Sequence, residues 1–330
     1  MEDVRGIKML KVNGEALNHL YAVVIANREQ CAWSDVIQLV HRMTNLEAIE
    51  ITASLTGVFT VMLEDVLQWM SPSMKNLKFF CVSRHVQFGF MSPILFPLLQ
   101  LSIPPSIEEV VLTDVTFRRQ GRHESDTIVA DRFARILTQL PNLKRLVIQR
   151  SKPWRENSSI IRADHLQTIF RYKSLQHLVL RNMALSDDDF EVVAEELTRN
   201  CTLESIDLGG RHRTRSMRGY DSILRAMEHQ YYVKYFNMIT EDESPSYGNV
   251  ISLSDECVNM FDLEIRDRVQ FGIDSFTKLN VADRKRILRD EKLTRNGLLQ
   301  IVGLTIRDDV NAIFSILRSH PQILSVVETS

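Results

Sequence analysis

An apolar triplet recurs seven times in this chain, with its second and third members three and five positions after the first. The first members are separated by 31, 30, 36, 32, 28 and 30 residues. A near-constant period of this length predicts a solenoid, in which each unit buries its apolar edge against its neighbours. Solenoids commonly provide extended binding surfaces. The triplets are Leu46/Ile49/Ile51, Leu77/Phe80/Val82, Ile107/Val110/Leu112, Leu143/Leu146/Ile148, Leu175/Leu178/Leu180, Leu203/Ile206/Leu208 and Val233/Phe236/Met238.

Composition and charge narrow the class of protein. With 44% apolar and 25% charged residues in 330, the chain has the composition of an ordered globular protein. Its net charge of −2 leaves any electrostatic role to local clusters. The cysteines form no C-x-x-C pair, so we expect reduced thiols in the cytoplasm or nucleus. They are Cys31, Cys81, Cys201 and Cys257.

Targeting and membrane segments are not expected. The residues after Met1 do not form a charged-then-apolar leader, which argues against a signal peptide. Prolines interrupt the most apolar stretch, residues 88–107, so it is a poor membrane span. Within that stretch, residues 88–99 are expected to replace an outer helix and to be buried under the sheet.

Each repeat is expected to contain a strand and then a helix. Leu146 and Ile148 alternate with Arg145 and Val147, which is typical of a strand with one buried face. Ser186 and the three aspartates after it predict a helix N-terminus, and Asn200 predicts its end. Residues 17–20, 29 positions before Leu46, are a candidate eighth strand. Further helices are predicted near 34–43, 62–70, 126–139, 163–172 and 220–229.

The LxxLxL strings at Leu143–Ile148 and Leu175–Leu180 resemble the ribonuclease-inhibitor-like class of leucine-rich repeats. The resemblance covers residues 15–240. It implies an α/β solenoid with a curved parallel sheet inside and helices outside. The family places Asn or Cys three residues after the last strand leucine, whereas this chain departs from that pattern. The positions here are Ser54, His85, Val115, Ser151, Met183, Arg211 and Glu241.

The predicted domain organisation is a solenoid of seven or eight units at 1–240, a loop or linker at 241–262, and a helical C-terminal cap at 263–330. Cap helices are expected near 264–274, 281–291 and 307–319, covering the apolar edge of the last repeat. The strings at 278–280, 284–288 and 308–311 resemble the tail of diatom leucine-rich-repeat proteins. That resemblance implies a eukaryotic, algal lineage.

The sequence contains no recognisable catalytic, cofactor-binding or metal-binding motif. Gly209 and Gly210 follow a predicted strand, but the rest of a nucleotide-binding pattern is missing. The nine histidines are dispersed, and His177 is more often a surface or contact residue than a catalytic one. We therefore expect a protein that is not an enzyme and needs no cofactor.

The inner face of the predicted sheet is the first candidate binding surface. Its side chains should align in columns across the strands, with an apolar strip of Cys81, Val111, Val147 and Val179. Glu109, Arg145 and Asp207 are predicted to form a charged rim around this strip. The alternative is that small β-branched residues merely suit a sheet. Val147→Glu is expected to abolish binding and to leave unfolding nearly unchanged. The other predicted contacts on this face are Phe79, Arg145, His177 and Tyr235.

Charges nearly alternate at the strand entrances, which we interpret as support for strand register rather than as ligand recognition. That column is Glu47, Lys78, Glu108, Lys144, Gln176, Glu204 and Lys234.

A basic edge made by the loops that leave the strands is the second candidate surface. An exposed Trp154 beside Arg155 has the composition of a binding hot spot. The edge would attract an acidic protein in preference to a nucleic acid, and the alternative is a solvated face without function. Its other predicted contacts are Arg118, Arg119, Arg211, Arg213 and Arg215, and Arg122, Arg150, Lys152, Arg181 and Arg218 extend it.

These patterns together predict a noncatalytic protein-interaction module, such as an adaptor, whose partner is a protein or peptide with an acidic surface. Two alternatives remain open. One is regulation of an enzyme such as a small GTPase, as one related leucine-rich-repeat family does. The other is binding of a polyanion or nucleic acid at the basic edge. No membrane partner is expected.

Overall fold

The computed structural model places the chain in two compact units, Met1–Leu185 and Ser186–Ser330. Each unit combines parallel strands with helices. The structure describes residues 7–13, 42–43, 45–53, 74–84, 94–96, 104–117, 134–150, 161–210, 212, 217–238, and 269–281 except 271, 275 and 279.

The first unit is built on a parallel sheet, as the repeat predicts. Six strands lie side by side in the order β1-β2-β3-β5-β7-β8, and β4 and β6 form a separate parallel pair. One helix, α1, spans Ala163–Phe170, and residues 134–138 are also helical. The strands are β1 Met9–Asn13, β2 Ala48–Ala53, β3 Phe79–Arg84, β4 Ile94–Phe96, β5 Glu109–Thr113, β6 Val115–Phe117, β7 Arg145–Gln149 and β8 His177–Arg181.

The register of this sheet confirms the repeat. Val110 pairs with Leu146, and Leu146 pairs with Leu178, so equivalent triplet members become neighbours on adjacent strands. The described members of the triplets in this unit are all buried. Each fully buried leucine or isoleucine contributes about 1.5–3 kcal/mol of transfer free energy. The triplets are therefore the core that joins each repeat to the next.

The eighth strand of the repeat is Met9–Asn13 rather than the predicted residues 17–20, which lie outside the described part of the chain. Leu10 pairs with Ile49, and Val12 pairs with Ile51. Ile7, Leu10 and Val12 repeat the triplet spacing, but Ile7 precedes Leu46 by 39 residues. Because this interval is longer than the others, a period near thirty does not predict this unit.

Of the proline-interrupted stretch at residues 88–99, the structure describes Ile94–Phe96, which form the short strand β4. This strand pairs in parallel with β6, Ile94 opposite Val115. Prolines on both sides of β4 remove backbone donors that a helix would need, which explains the extended conformation. The predicted helices near 34–43 and 62–70 lie almost entirely outside the described residues.

The second unit begins with the helix that the Ser186 pattern predicts. This helix, α2, spans Asp187–Arg199 and is capped by Ser186, whose Oγ accepts the backbone N–H of Asp189 at 3.2 Å. In return the Asp189 carboxylate accepts the backbone N–H of Ser186 at 2.9 Å. This reciprocal capping box satisfies two otherwise orphaned donors. The C-cap is Asn200, as predicted.

Two strands and a second helix follow in this unit. Strand β9 (Ser205–Asp207) pairs in parallel with β10 (Tyr235–Asn237), and helix α3 (Arg218–His229) connects them. A β-carbon at Gly219 would lie 3.0 Å from Cβ of Phe190 and 3.0 Å from Oδ1 of Asp187. Glycine is therefore what allows α3 to approach α2 this closely.

Helical residues between 269 and 281 lie beside β10. They include residues 276–278 and 280, which fall between the two helices predicted near 264–274 and 281–291. Gln270 Nε2 donates to the carbonyl of Phe236 at 2.7 Å, and its Oε1 accepts the N–H of Met238 at 2.7 Å. One side-chain amide thus bonds a backbone carbonyl and a backbone N–H at the edge of β10, as a further strand would.

Asn280 extends a hydrogen-bonding series that runs through the turns of the second unit. Gln230 Nε2 donates to the carbonyls of Leu197 and Asn200, at 2.6 and 2.8 Å. Asn280 Nδ2 donates to the carbonyls of Gln230 and Val233, at 2.9 and 2.8 Å. The helical segment therefore makes the turn contact beside β10 that the next repeat would otherwise make.

Within the described ranges, no helix combines the length and the apolar character that a membrane crossing requires.

Candidate partner-binding face

The parallel register of the first unit arranges the side chains of one sheet face in three rows. Along a strand, alternate residues point to opposite faces. The first row is Met9, Ala48, Phe79, Glu109, Arg145 and His177. The second row is Lys11, Glu50, Cys81, Val111, Val147 and Val179. The third row contains Thr113, Gln149 and Arg181.

The predicted apolar strip exists as a continuous part of the second row, but its members differ in exposure. Val111 and Val179 are half-buried, whereas Val147 is only 4% exposed and Cys81 only 8%. A charged residue at Val147 would therefore disturb packing as well as binding, which corrects the expectation that Val147→Glu leaves unfolding unchanged. Val111 and Val179 are the better probes of this row.

Two ion pairs lie beside the strip. Arg145 Nε is 2.9 Å from Oε1 of Glu109 in the first row. Lys11 Nζ is 2.9 Å from Oε2 of Glu50 in the second row. Exposed pairs of this kind contribute only about 0–1 kcal/mol to stability. Their greater effect is to place matched charges at the border of the apolar positions, as in the polar rim of an interface.

The third row adds a polar border that the sequence analysis did not identify. Gln149 Nε2 donates to Oγ1 of Thr113 at 3.1 Å across β5 and β7. Arg181 is exposed at the end of β8. The signal was present in the sequence, because each of these residues lies two positions after a member of the second row. Together with the first row, this border encloses the valines on both sides.

The charged side chains at the strand entrances form ion pairs between neighbouring strands, as expected of a column that supports strand register. Lys8 Nζ lies 2.9 Å from Glu47, and in the second unit Lys234 Nζ lies 2.9 Å from Glu204. Glu108 lies between two lysines and accepts a 2.8 Å hydrogen bond from Lys144. That bond, with the positive charges of both lysines, lowers the pKa of Glu108, although desolvation opposes the shift. The geometry favours the structural interpretation of this column.

Tyr235, the predicted contact in the second unit, is accessible. It lies on β10 beside Ser205 and is 50% exposed. Asn237 Nδ2 donates to Oδ1 of the buried Asp207 at 3.2 Å, and the same oxygen accepts the N–H of Gly209 at 2.9 Å. Asp207 therefore orders the loop after β9 instead of standing in a charged rim as predicted.

The basic edge is largely outside the described residues. Two of its described members do not fit the prediction of an exposed positive edge. Arg150 is only 5% exposed. Arg218 begins α3 and pairs with α2, its Nε 2.8 Å from Oε1 of Glu191 and a guanidinium nitrogen bonded to Asp188. The members outside the described residues are Arg118, Arg119, Arg122, Lys152, Trp154, Arg155, Arg211, Arg213 and Arg215.

The described side chains offer no group of three or more histidine, cysteine, aspartate or glutamate residues that could hold a metal ion. His177, in the first row, is half-buried beside Arg145. Cys81 and Cys201 form no disulfide.

No family model and no curated protein matches the sequence. Among solved structures, the chain is similar to the actin-binding site 2 of leiomodin-1, with 14% identity over 42% of this chain and 84% of that chain, at a TM-score of 0.26. It is also similar to a protein from Bacteroides fragilis, with 11% identity over 74% of this chain and 69% of that chain, at a TM-score of 0.36.

Proposed function

We propose that this protein is a leucine-rich-repeat module of the ribonuclease-inhibitor-like class that binds another protein without catalysing a reaction. The repeat period and the parallel register of the triplets support the family assignment. A sheet face that carries both apolar and charged side chains fits a binding role. The reduced thiols of Cys81 and Cys201 suit the cytoplasm or nucleus.

The alignment of the first and second rows carries this proposal. It brings the half-buried Phe79, Val111 and Val179 onto one face, with the Glu109–Arg145 and Lys11–Glu50 pairs beside them. Apolar positions at the centre and charged groups at the border are the usual composition of a protein interface. Aromatic and arginine residues are also frequent among the contacts that dominate binding.

Capture from native cell extract with the full-length protein tests this function. The bait is compared with Val111→Asp/Val179→Asp, which places two carboxylates on the proposed face, and with Lys173→Glu, a control at an exposed turn outside the three rows. Quantitative mass spectrometry should show partners that the double variant loses and the control retains. Circular dichroism establishes that each bait is folded. Identical partner sets for all three folded baits would refute the proposal.

A further inference from the structure

The apolar residues of the first unit form an oblique stripe across six neighbouring strands. On β1, β2 and β3 the apolar positions are in the first row, and from β3 to β8 they are in the second row. The accessible members are Met9, which is 52% exposed, and the half-buried Phe79, Val111 and Val179. We call this set, with the buried Ala48, Cys81 and Val147 between them, the apolar stripe.

The flanks of the apolar stripe differ along its length. Near β1 and β2 the Lys11–Glu50 pair borders it, and near β5 and β7 the Glu109–Arg145 pair borders it on the other side. These pairs are internally neutral. On β8, however, Val179 has His177 two positions before it and Arg181 two positions after it. The exposed Arg181 therefore places a positively charged side chain at the β8 end.

The apolar character of the stripe restricts the backbone conformation of whatever covers it. An extended peptide would present its N–H and C=O groups to apolar side chains, and burying them without partners costs about 1–3 kcal/mol per group. An α-helix satisfies these groups within itself. A helix is therefore the more favourable occupant of this surface.

The spacing of the accessible members also suits a helix. Neighbouring strands are about 4.8 Å apart, so the steps from Met9 to Phe79, Val111 and Val179 are about 10, 5 and 10 Å. On one face of a helix, steps of seven residues rise about 10.5 Å and steps of three or four rise about 4.5–6 Å. The whole stripe, about 24 Å long, corresponds to about 16 helical residues.

We infer that the apolar stripe binds an amphipathic helix of about four turns from a partner protein, with acidic residues at the end that lies over β8. The apolar face of the helix contacts Phe79, Val111 and Val179, and its acidic end faces Arg181. This inference rests on the proposed function and specifies the chemistry of the partner.

Two displayed peptide libraries, selected on the full-length protein, test the inference. One library has apolar residues at three-, four- and seven-residue steps, and the other has them at every second residue; the remaining positions are random. We expect enrichment from the helix-patterned library only, with Asp or Glu at one end. The affinities of enriched peptides are then measured by fluorescence anisotropy, and their helicity when bound by circular dichroism.

Variants of the protein locate the binding site of the enriched peptides. Val179→Asp should weaken binding by about 100-fold or more, because it removes an apolar contact and buries a carboxylate. Val179→Thr keeps nearly the same side-chain shape and should weaken binding about fivefold. This variant still tests the contact if Val179→Asp does not fold. Arg181→Glu should weaken peptides with an acidic end about tenfold, and Lys173→Glu should have no effect.

The outcomes separate this inference from the proposed function. Enrichment from the alternating library alone, or helical binders that Val179→Asp does not affect, would overturn the helical occupant. If native partners still depend on Val111 and Val179 in the capture experiment, the proposed function stands while this inference fails. If neither the partners nor the peptides respond to these substitutions, both are wrong.

Discussion

Replacing Gln270 with methionine should destabilise the second unit more than any exposed substitution in the same segment. The Gln270 side chain is 9% exposed and bonds both the carbonyl of Phe236 and the N–H of Met238. Methionine has a similar length but neither the donor nor the acceptor, so both backbone groups would lose their partner. Met238 is fully buried, and water cannot replace the lost bond without disrupting the packing there.

The expected magnitude follows from the two backbone groups. Leaving a buried polar group unsatisfied costs about 1–3 kcal/mol, so two groups cost about 2–6 kcal/mol. The greater apolarity of methionine offsets about 1 kcal/mol. We therefore expect the free energy of unfolding to fall by about 1–5 kcal/mol, and the Met238 amide to exchange faster.

Urea unfolding and hydrogen exchange measured by mass spectrometry provide the assay. Val281→Gln is the matched control, since Val281 is 63% exposed in the same helical segment and its replacement should change stability by less than about 0.5 kcal/mol. A fall of less than about 0.5 kcal/mol for Gln270→Met, with unchanged exchange over residues 235–238, would refute the reasoning. It would mean that the amide of Gln270 does not complete the edge of β10.

Three further predictions rest on local geometry, and a fourth rests on the basic edge predicted from the sequence. Glu108→Gln should make the free energy of unfolding depend less on pH in the acid range. The lowered pKa of Glu108 provides stability that is lost as pH falls through its folded-state value, so the urea midpoints of variant and wild type should converge in acid. Ser186→Ala should cost about 1 kcal/mol in urea unfolding, and Ser186→Gly less, because the cap of α2 is lost. Gly219→Ala should lower Tm despite its better helix propensity, since its methyl meets α2; a raised Tm would contradict this. Arg213→Glu/Arg215→Glu should weaken capture of acidic partners at low salt but not at high salt, if the predicted basic edge steers them.

The local patterns of the chain were sufficient to predict most of its regular elements. The triplets identify seven of the strands, because a side chain that must be buried on one face repeats in sequence wherever the strand repeats in space. Ser186 and Asn200 mark the two ends of α2, because caps act on backbone groups within one turn. The first strand was missed, since its 39-residue interval from Ile7 to Leu46 departs from the period.

The candidate face could be predicted in part. Parallel pairing with an equal offset makes equivalent positions neighbours, so the row from Cys81 to Val179 follows from sequence once the register is assumed. The exposure of each member does not follow. Val147 and Val179 are the same residue at equivalent positions, yet only Val147 is almost fully buried, because burial depends on side chains from several strands.

The sequence by itself determined the seven strands that carry the triplets, the helix between Ser186 and Asn200, and the burial of the described triplet side chains, since these properties depend on residues a few positions apart. Only the tertiary structure decided which polar groups meet. Asn280 bonds carbonyls 47 and 50 residues away, and Arg218 pairs with Asp188 instead of joining a positive edge. The repeat period brings equivalent segments side by side, but it does not decide which polar side chains bond, because that depends on how packing brings their atoms within hydrogen-bond distance.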